Sequence, residues 1–249
     1  MKYSYSTTKD YEKKLKKYDK AIKQNPNNAN MYFNKGVLLE ELGDYEVAIK
    51  LYNKALKLDP NNFESHVNKG AALSSLKRYK LAINSFNIAI QIKADHPISY
   101  FNKAWVLTKL GKYIEAIKSY KEVIKLDSNH FAAHYNLANV LLELKKYTQA
   151  IRLYDKAINL NSNYSEAYSN KGIALAESKK YNISLEFFSK AIELNPNNIK
   201  AYFNKGITLE EIEKYDLALE SYNKALELNP NDLDIKARIQ AILDMQKAK

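Results

Sequence analysis

The chain has 249 residues, 46% of them hydrophobic and 27% charged, with a formal net charge of +11, values that belong to a soluble, folded protein and exclude a disordered one. Six Gly and five Pro leave too little turn chemistry for an all-β fold, while the wealth of Lys, Leu, Ala and Glu favours helix. No cysteine is present, which excludes disulfides, thiolate metal sites and cysteine nucleophiles. The opening residues lack the apolar stretch of a signal peptide, and no run approaches the roughly 18 apolar residues of a membrane span. A cytoplasmic protein without a membrane partner is expected, with secretion independent of a signal peptide left open.

In chain order, residues 1–8 are polar and are expected to be a loose tail, followed by one helix over residues 9–24. Tyr11, Tyr45, Tyr79, Tyr113, Tyr147, Tyr181 and Tyr215 then recur every 34 residues without an insertion or deletion. The same register carries Tyr18, Tyr52, Phe86, Tyr120, Tyr154, Phe188 and Tyr222, and after them Ala21, Ala55, Ala89, Val123, Ala157, Ala191 and Ala225. Six full units follow: 29–62, 63–96, 97–130, 131–164, 165–198 and 199–232, with residues 1–28 as tail and half-unit. In the first unit Tyr32, Gly36 and Leu39 form the apolar stripe of a first helix, A. Gly43 and Asp44 mark a turn. Tyr45, Ala48, Ile49, Tyr52, Ala55, Leu56 and Leu58 form the stripe of a second helix, B, which stops at Asp59-Pro60-Asn61-Asn62. Small residues (Gly36, Gly70, Ala104, Ala138, Gly172, Gly206 opposite Ala48, Ala82, Ala116, Ala150, Ser184, Ala218) are expected where A and B approach most closely. Lys14 breaks that rule in the half-unit, which has no A helix of its own. In residues 233–249, Leu233, Ile235, Ile239, Ile242, Leu243 and Met245 are expected to form the apolar face of a capping helix.

The period and strings such as AYFNKGITLEEIEKYDLALESYNKALELNP resemble the tetratricopeptide repeat (TPR) family over about residues 9–232. That resemblance implies an all-α, right-handed superhelical solenoid of helix-turn-helix repeats with A helices on the concave face. It also implies a non-enzymatic scaffold that holds a protein or peptide partner in its groove.

One A-helix position is Asn in every repeat: Asn34, Asn68, Asn102, Asn136, Asn170 and Asn204. A carboxamide can pair with both the C=O and the N–H of an extended backbone, and the row resembles the asparagine ladders of solenoids that bind peptides irrespective of sequence. Beside it run Phe33, Val67, Phe101, Tyr135, Ser169 and Phe203, and one turn on Val37, Ala71, Trp105, Asn139, Ile173 and Ile207. Tyr32, Leu39 and their equivalents already supply the core stripe, so a second apolar stripe reads as a binding floor with Trp105 as its anchor. Glu40, Glu41, Glu64, Glu143, Glu166, Glu177, Glu210 and Glu211, set against Lys109 and Lys200, give the groove a negative balance. Lys35, Lys69, Lys103, Lys171 and Lys205 read as snorkelling residues with heads at the groove edge. The expected ligand is an extended, neutral or basic segment with apolar side chains.

Two other protein-binding or nucleic-acid readings compete with this one. The family's carboxylate clamp for Hsp70 and Hsp90 C-termini matches here only at Asn139, Asn170 and Lys200, and no register supplies its remaining Lys and Arg. RNA binding on the basic convex surface is the main alternative, since residues 63–96 and 97–130 each carry +3 against −3 for 199–232. His66 and His134 occupy a position that is Tyr in other repeats, so a packing role is expected rather than a metal site. No cofactor is implied, no phosphate loop or nucleophile motif is present, and adjacent pairs such as Glu40-Glu41 point different ways on a helix. Self-association through the solenoid ends remains open.

Overall fold

In a computed structural model, residues 5–247 are described, with side chains from Asp10 onward. These residues form fourteen α-helices and no strand. The first is α1 (Tyr5–Gln24). Six A helices follow at constant 34-residue steps: α2 (Ala29–Glu41), α4 (Phe63–Ser75), α6 (Pro97–Lys109), α8 (Phe131–Glu143), α10 (Ser165–Glu177) and α12 (Ile199–Glu211). The B helices between them are α3 (Tyr45–Leu58), α5 (Tyr79–Ile92), α7 (Tyr113–Leu126), α9 (Tyr147–Leu160), α11 (Tyr181–Leu194) and α13 (Tyr215–Leu228), and α14 (Leu233–Lys247) closes the series.

Local chemistry fixes these boundaries. Asn62 and Asn198 cap α4 and α12 by accepting from the backbone N–H of Ser65 and Ala201, satisfying donors that the first helical turn leaves open. Each A helix ends in a Schellman turn. In the first repeat the N–H of Asp44 bonds to Leu39 O at 2.8 Å and that of Gly43 to Glu40 O at 2.9 Å. Gly43 and Gly111 take the left-handed residue of this turn at φ 82° and 70°, while Lys77, Lys145, Lys179 and Glu213 hold it at 57–60°.

Packing within a repeat centres on the B-helix aromatic, since Tyr52, Phe86, Tyr120, Tyr154, Phe188 and Tyr222 are all fully buried. Burial of one such side chain is worth about 1.5–3 kcal/mol. The small A-helix residue lies against that ring: a Cβ added at Gly36 or Gly70 would come within 2.7 or 2.5 Å of the ring of Tyr52 or Phe86. Ala104 and Ala138 fill the same place with no exposed surface.

The helices gather into two compact units, one running to Ser128 and the other from Asn129. In the first, α2, α4 and α6 approach one another in sequence. In the second, α8, α10 and α12 do the same, and no pair of B helices comes comparably close. The A helices therefore line the inner side of the bend in each unit.

Two expectations at the termini are corrected. Residues 5–8 belong to α1 rather than to a loose tail, because nothing in this segment forms the turn that separates A from B elsewhere. Residues 1–4 lie outside the described residues. The apolar face expected for α14 is also narrower: Ile235 and Ile242 are buried and Ile239 packs beside them, but Leu233 is 76% exposed and Leu243 is exposed too. The reason is register. Helix α14 is an A helix in the same 34-residue frame, and the side that would meet a B helix has none against it among the described residues.

Candidate peptide-binding face

All six row asparagines are half-buried on their A helices, which is where a surface residue lining a bend would lie. They are not equivalent. In the second unit, Asn170 Nδ2 donates to Asn139 Oδ1 at 2.9 Å and to Tyr135 Oη at 3.0 Å, and Tyr154 Oη donates to the same Asn139 oxygen at 2.7 Å. In the first unit, Asn68 lies beside the Tyr52 hydroxyl, which donates to Glu40 at 2.6 Å. Asn170 is thus tied to the preceding A helix and, through Asn139, to the phenol of the preceding B helix. Where that aromatic is Phe, no such bond can form: Asn204 turns back onto its own helix at Lys200 O, and Asn102, which follows Phe86, has no side-chain hydrogen bond among the described residues.

The phenols explain the arrangement. Leaving a buried hydroxyl unpaired is costly, and three repeats with Tyr on helix B supply an acceptor on helix A: Glu40 for Tyr52, Asn139 for Tyr154 and Glu210 for Tyr222, while Thr108 lies beside Tyr120. Burial pushes the Tyr120 and Tyr135 hydroxyls up to about 12. It raises Tyr52, Tyr154 and Tyr222 further still, helped by Glu40 and Glu210 beside Tyr52 and Tyr222. Burial also raises the Glu40 carboxyl.

The aromatic stripe is part core, part surface. Phe33, Phe101, Tyr135 and Phe203 are half-buried, each with its ring 5.9–6.1 Å from the B-helix aromatic of its own repeat. Val67 and Ser169 at this position are buried. Of the next row, Val37, Ala71, Asn139, Ile173 and Ile207 are half-buried and Trp105 stands 39% exposed. The Lys109 ammonium lies 5.2 Å from the Trp105 ring centre, a cation–π contact.

The charges require two corrections. Lys35 and Lys171 do not reach the groove edge; their ammonium groups pair with Asp19 and Asp155 on the preceding B-type helix, and Lys171 also covers the Phe187 ring. Desolvation at that distance from the groove is cheaper with a carboxylate present. Lys69 and Lys103 are lowered by burial. The acidic count also shrinks as a description of the groove. Glu64 pairs with Lys93 of helix B, Glu177 accepts from Tyr147, and Glu40 and Glu210 are taken by buried phenols.

His66 and His134 are buried, and the His66 Nε2 lies 2.9 Å from Pro60 O, as the Tyr32 hydroxyl reaches Pro26 O. Among the described residues no group of three His, Asp or Glu side chains is placed to hold a metal ion. No helix among the described residues is long and apolar enough to cross a membrane. One residue escaped the reading of the row. Arg238 on α14 stands 34 residues after Asn204, and its guanidinium bonds to Glu210 at 3.0 Å and lies over the Phe203 ring. It closes the row as a cation.

Solved structures with this architecture include YrrB, described as a TPR protein with an unusual peptide-binding site (TM-score 0.65, 23% identity, 79% of this chain and 97% of that one). Others are the C-terminal part of a TPR repeat-containing protein from Cytophaga hutchinsonii (0.76, 17%, 94% and 96%) and pilF of Pseudomonas aeruginosa (0.71, 21%, 89% and 97%). At these identities the likeness concerns the fold. No curated protein matches. Models of the tetratricopeptide repeat match residues 17–50, 63–96, 131–164, 165–198 and 199–232, and a TPR repeat model matches 41–77 and 105–145. With most of its length covered in this way, and with helix pairs at every 34-residue step, the chain belongs to the tetratricopeptide repeat family.

Proposed function

We propose that this chain is a protein-interaction scaffold whose A-helix face holds an extended segment of another protein. The observation that carries the reading is the pairing of Asn102, half-exposed and without an internal hydrogen bond, with Trp105, exposed one turn further along α6. Residues three apart on a helix share a face, so a carboxamide able to grip a peptide backbone stands beside an indole able to cover a side chain. The peptide-binding site named for YrrB, a protein of the same fold, agrees with this use of the architecture.

On this reading Asn102 contributes backbone bonding directly. Asn34 and Asn136, which also make no side-chain hydrogen bond among the described residues, act alike, and Asn204 can exchange its bond to Lys200 O for one to the ligand. Asn68 and Asn170 instead hold the phenols beneath the face. Phe33, Phe101, Tyr135 and Phe203 offer ring edges to ligand side chains, and Asn139 acts through Tyr154. Each Asn pair with backbone is worth about 0.5–1.5 kcal/mol net against association costs of at least ~4 kcal/mol, so apolar contact at Trp105 has to supply part of the affinity.

Trp105 is the only Trp in the chain, so its fluorescence reads occupancy directly. Titration with peptide pools sorted by charge and apolarity should shift the emission for neutral and basic apolar pools, and Asn102→Ala should weaken that response. A response equal for RNA and for peptides, or one indifferent to Asn102→Ala, would overturn the assignment.

A further inference from the structure

The turns between helices A and B form one edge of each unit, and at that edge the second and sixth repeats carry opposite charges at two matching positions, with a cation, Arg78 or Lys214, between them in both. Lys77, Lys80 and Leu81 of the second repeat stand at the same repeat positions as Glu213, Asp216 and Leu217 of the sixth. Leu81 and Leu217 are 54% and 47% exposed, and Ile114, which holds the position of Lys80 in the third repeat, is 61% exposed. These side chains give the edge apolar surface that a partner can cover. Lys77 and Glu213 are both held in the left-handed conformation, at φ 57° and 60°, where Gly43 and Gly111 show what the turn itself prefers. The charges lie in matching surroundings: residues 63–96 carry +3 and residues 199–232 carry −3. In the sixth repeat, Glu213, Lys214, Tyr215, Asp216, Leu217 and Gln246 line a shallow recess whose Asp216 is held by Gln246 at 3.1 Å.

We propose that the chain self-associates edge to edge, the basic turn edge of the second repeat in one copy seating on the acidic turn edge of the sixth repeat in another. Leu81 enters the recess beside Leu217, and Lys77 and Lys80 face Glu213 and Asp216. The occupant is a second copy because one chain carries both halves of the complement, with the same aliphatic residue at the same repeat position in each. Like edges repel, so pairing of two second-repeat edges or two sixth-repeat edges is disfavoured, which gives the contact its direction. This association uses the turn edge, not the A-helix face, and is independent of peptide binding.

The test is a charge swap followed by sedimentation velocity over a concentration series. The wild-type chain should associate at low ionic strength and dissociate as salt is raised. Lys77→Glu/Lys80→Glu and Glu213→Lys/Asp216→Lys should each weaken self-association by about tenfold or more. An equimolar mixture of the two variants should associate again, because at these two edges the added charges of one variant are then opposite to those of the other. All four positions are on the surface, and circular dichroism on each variant verifies that the fold is retained. A wild-type chain that stays monomeric throughout would overturn the proposal, as would variants that associate like wild type or a mixture that fails to associate. A basic edge meant for lipid would show itself in a parallel arm: monomeric wild type bound to phosphatidylserine vesicles, with binding lost in Lys77→Glu/Lys80→Glu, also overturns it.

Discussion

Asn170 and Asn102 share one repeat position and have different physical duties. Asn170 closes a buried network through Asn139 to Tyr154, so Asn170→Ala should cost about 1–3 kcal/mol in denaturant unfolding, the penalty for polar groups left unpaired. Asn102→Ala removes no internal bond and should change stability by less than about 0.5 kcal/mol, while lowering peptide affinity roughly 2- to 12-fold. If both variants melt alike, the division of the row is wrong. The division was within reach of the sequence. Tyr at 52, 120 and 222 has Glu40, Thr108 or Glu210 one fixed step before it on its own A helix, whereas Phe86 and Phe188 have Ser74 and Ala176 there; Tyr154 has Leu142 at that step and uses Asn139 instead. Reading along the Asn row, rather than across from helix A to helix B, hid it. The small residue of helix A was legible, because only Gly or Ala occupies it in six repeats, but its nearest neighbour is the ring of Tyr52, Phe86, Phe188 or Tyr222 and not the expected Ala48, Ala82, Ser184 or Ala218; the close approach carries its own expectation. Gly70→Ala would place a Cβ 2.5 Å from the fully buried Phe86 ring and should cost about 1–3 kcal/mol in the same unfolding measurement.

The helix pairs themselves followed from spacing, since a 34-residue apolar pattern without gaps permits no other element boundaries. Turn chemistry was less readable: Gly43-Asp44 announces its turn, but Lys145-Lys146 and Lys179-Lys180 do not, and buried leucines with Schellman bonds impose the left-handed residue on a lysine there. That imposition should be reversible. Lys145→Gly and Lys179→Gly are each expected to stabilise by about 0.5–1 kcal/mol, as relief of the Cβ clash exceeds the added entropy of the unfolded chain. Asp44 caps α3 by accepting from Val47 N at 3.2 Å, while Lys146 and Lys180 make no cap bond at the starts of α9 and α11. Lys146→Asp should therefore add about 1 kcal/mol through a cap bond and a better charge at the helix N-terminus. Thermal melts of the three variants decide the matter; lower midpoints would mean that the lysines make contacts worth more than ideal turns. Helix α14 was foreseen as a cap but not as an A helix in register, because the tyrosine series that set the frame belongs to B helices and stops at Tyr215. Arg238, 34 residues beyond Asn204, was the signal that would have identified it.

At the scale of the whole molecule, buried phenols recur along the core, and they make its stability depend on alkali. Tyr52, Tyr120, Tyr135, Tyr154 and Tyr222 all lose protons less readily than an ordinary phenol near 10, chiefly because burial penalises the phenolate, with Tyr120 and Tyr135 raised to about 12. Below pH 10 both folded and unfolded chains keep these protons, and the contribution of the phenols to stability is complete. Above it the unfolded chain ionises first, so each further rise in pH draws the equilibrium toward unfolding until the folded values are passed. The melting temperature is expected to hold level up to about pH 9 and then to fall steeply. These phenols share cores with the helices that bury them, so tyrosinate absorbance and loss of helical dichroism should develop together in one cooperative step. Tyr120→Phe, which keeps the ring that packs in repeats two and five as Phe86 and Phe188, should soften that fall without lowering stability at neutral pH by more than about 1 kcal/mol. Gradual tyrosinate absorbance centred near pH 10, with helicity intact, would show that water reaches the phenols and that burial does not govern their ionisation.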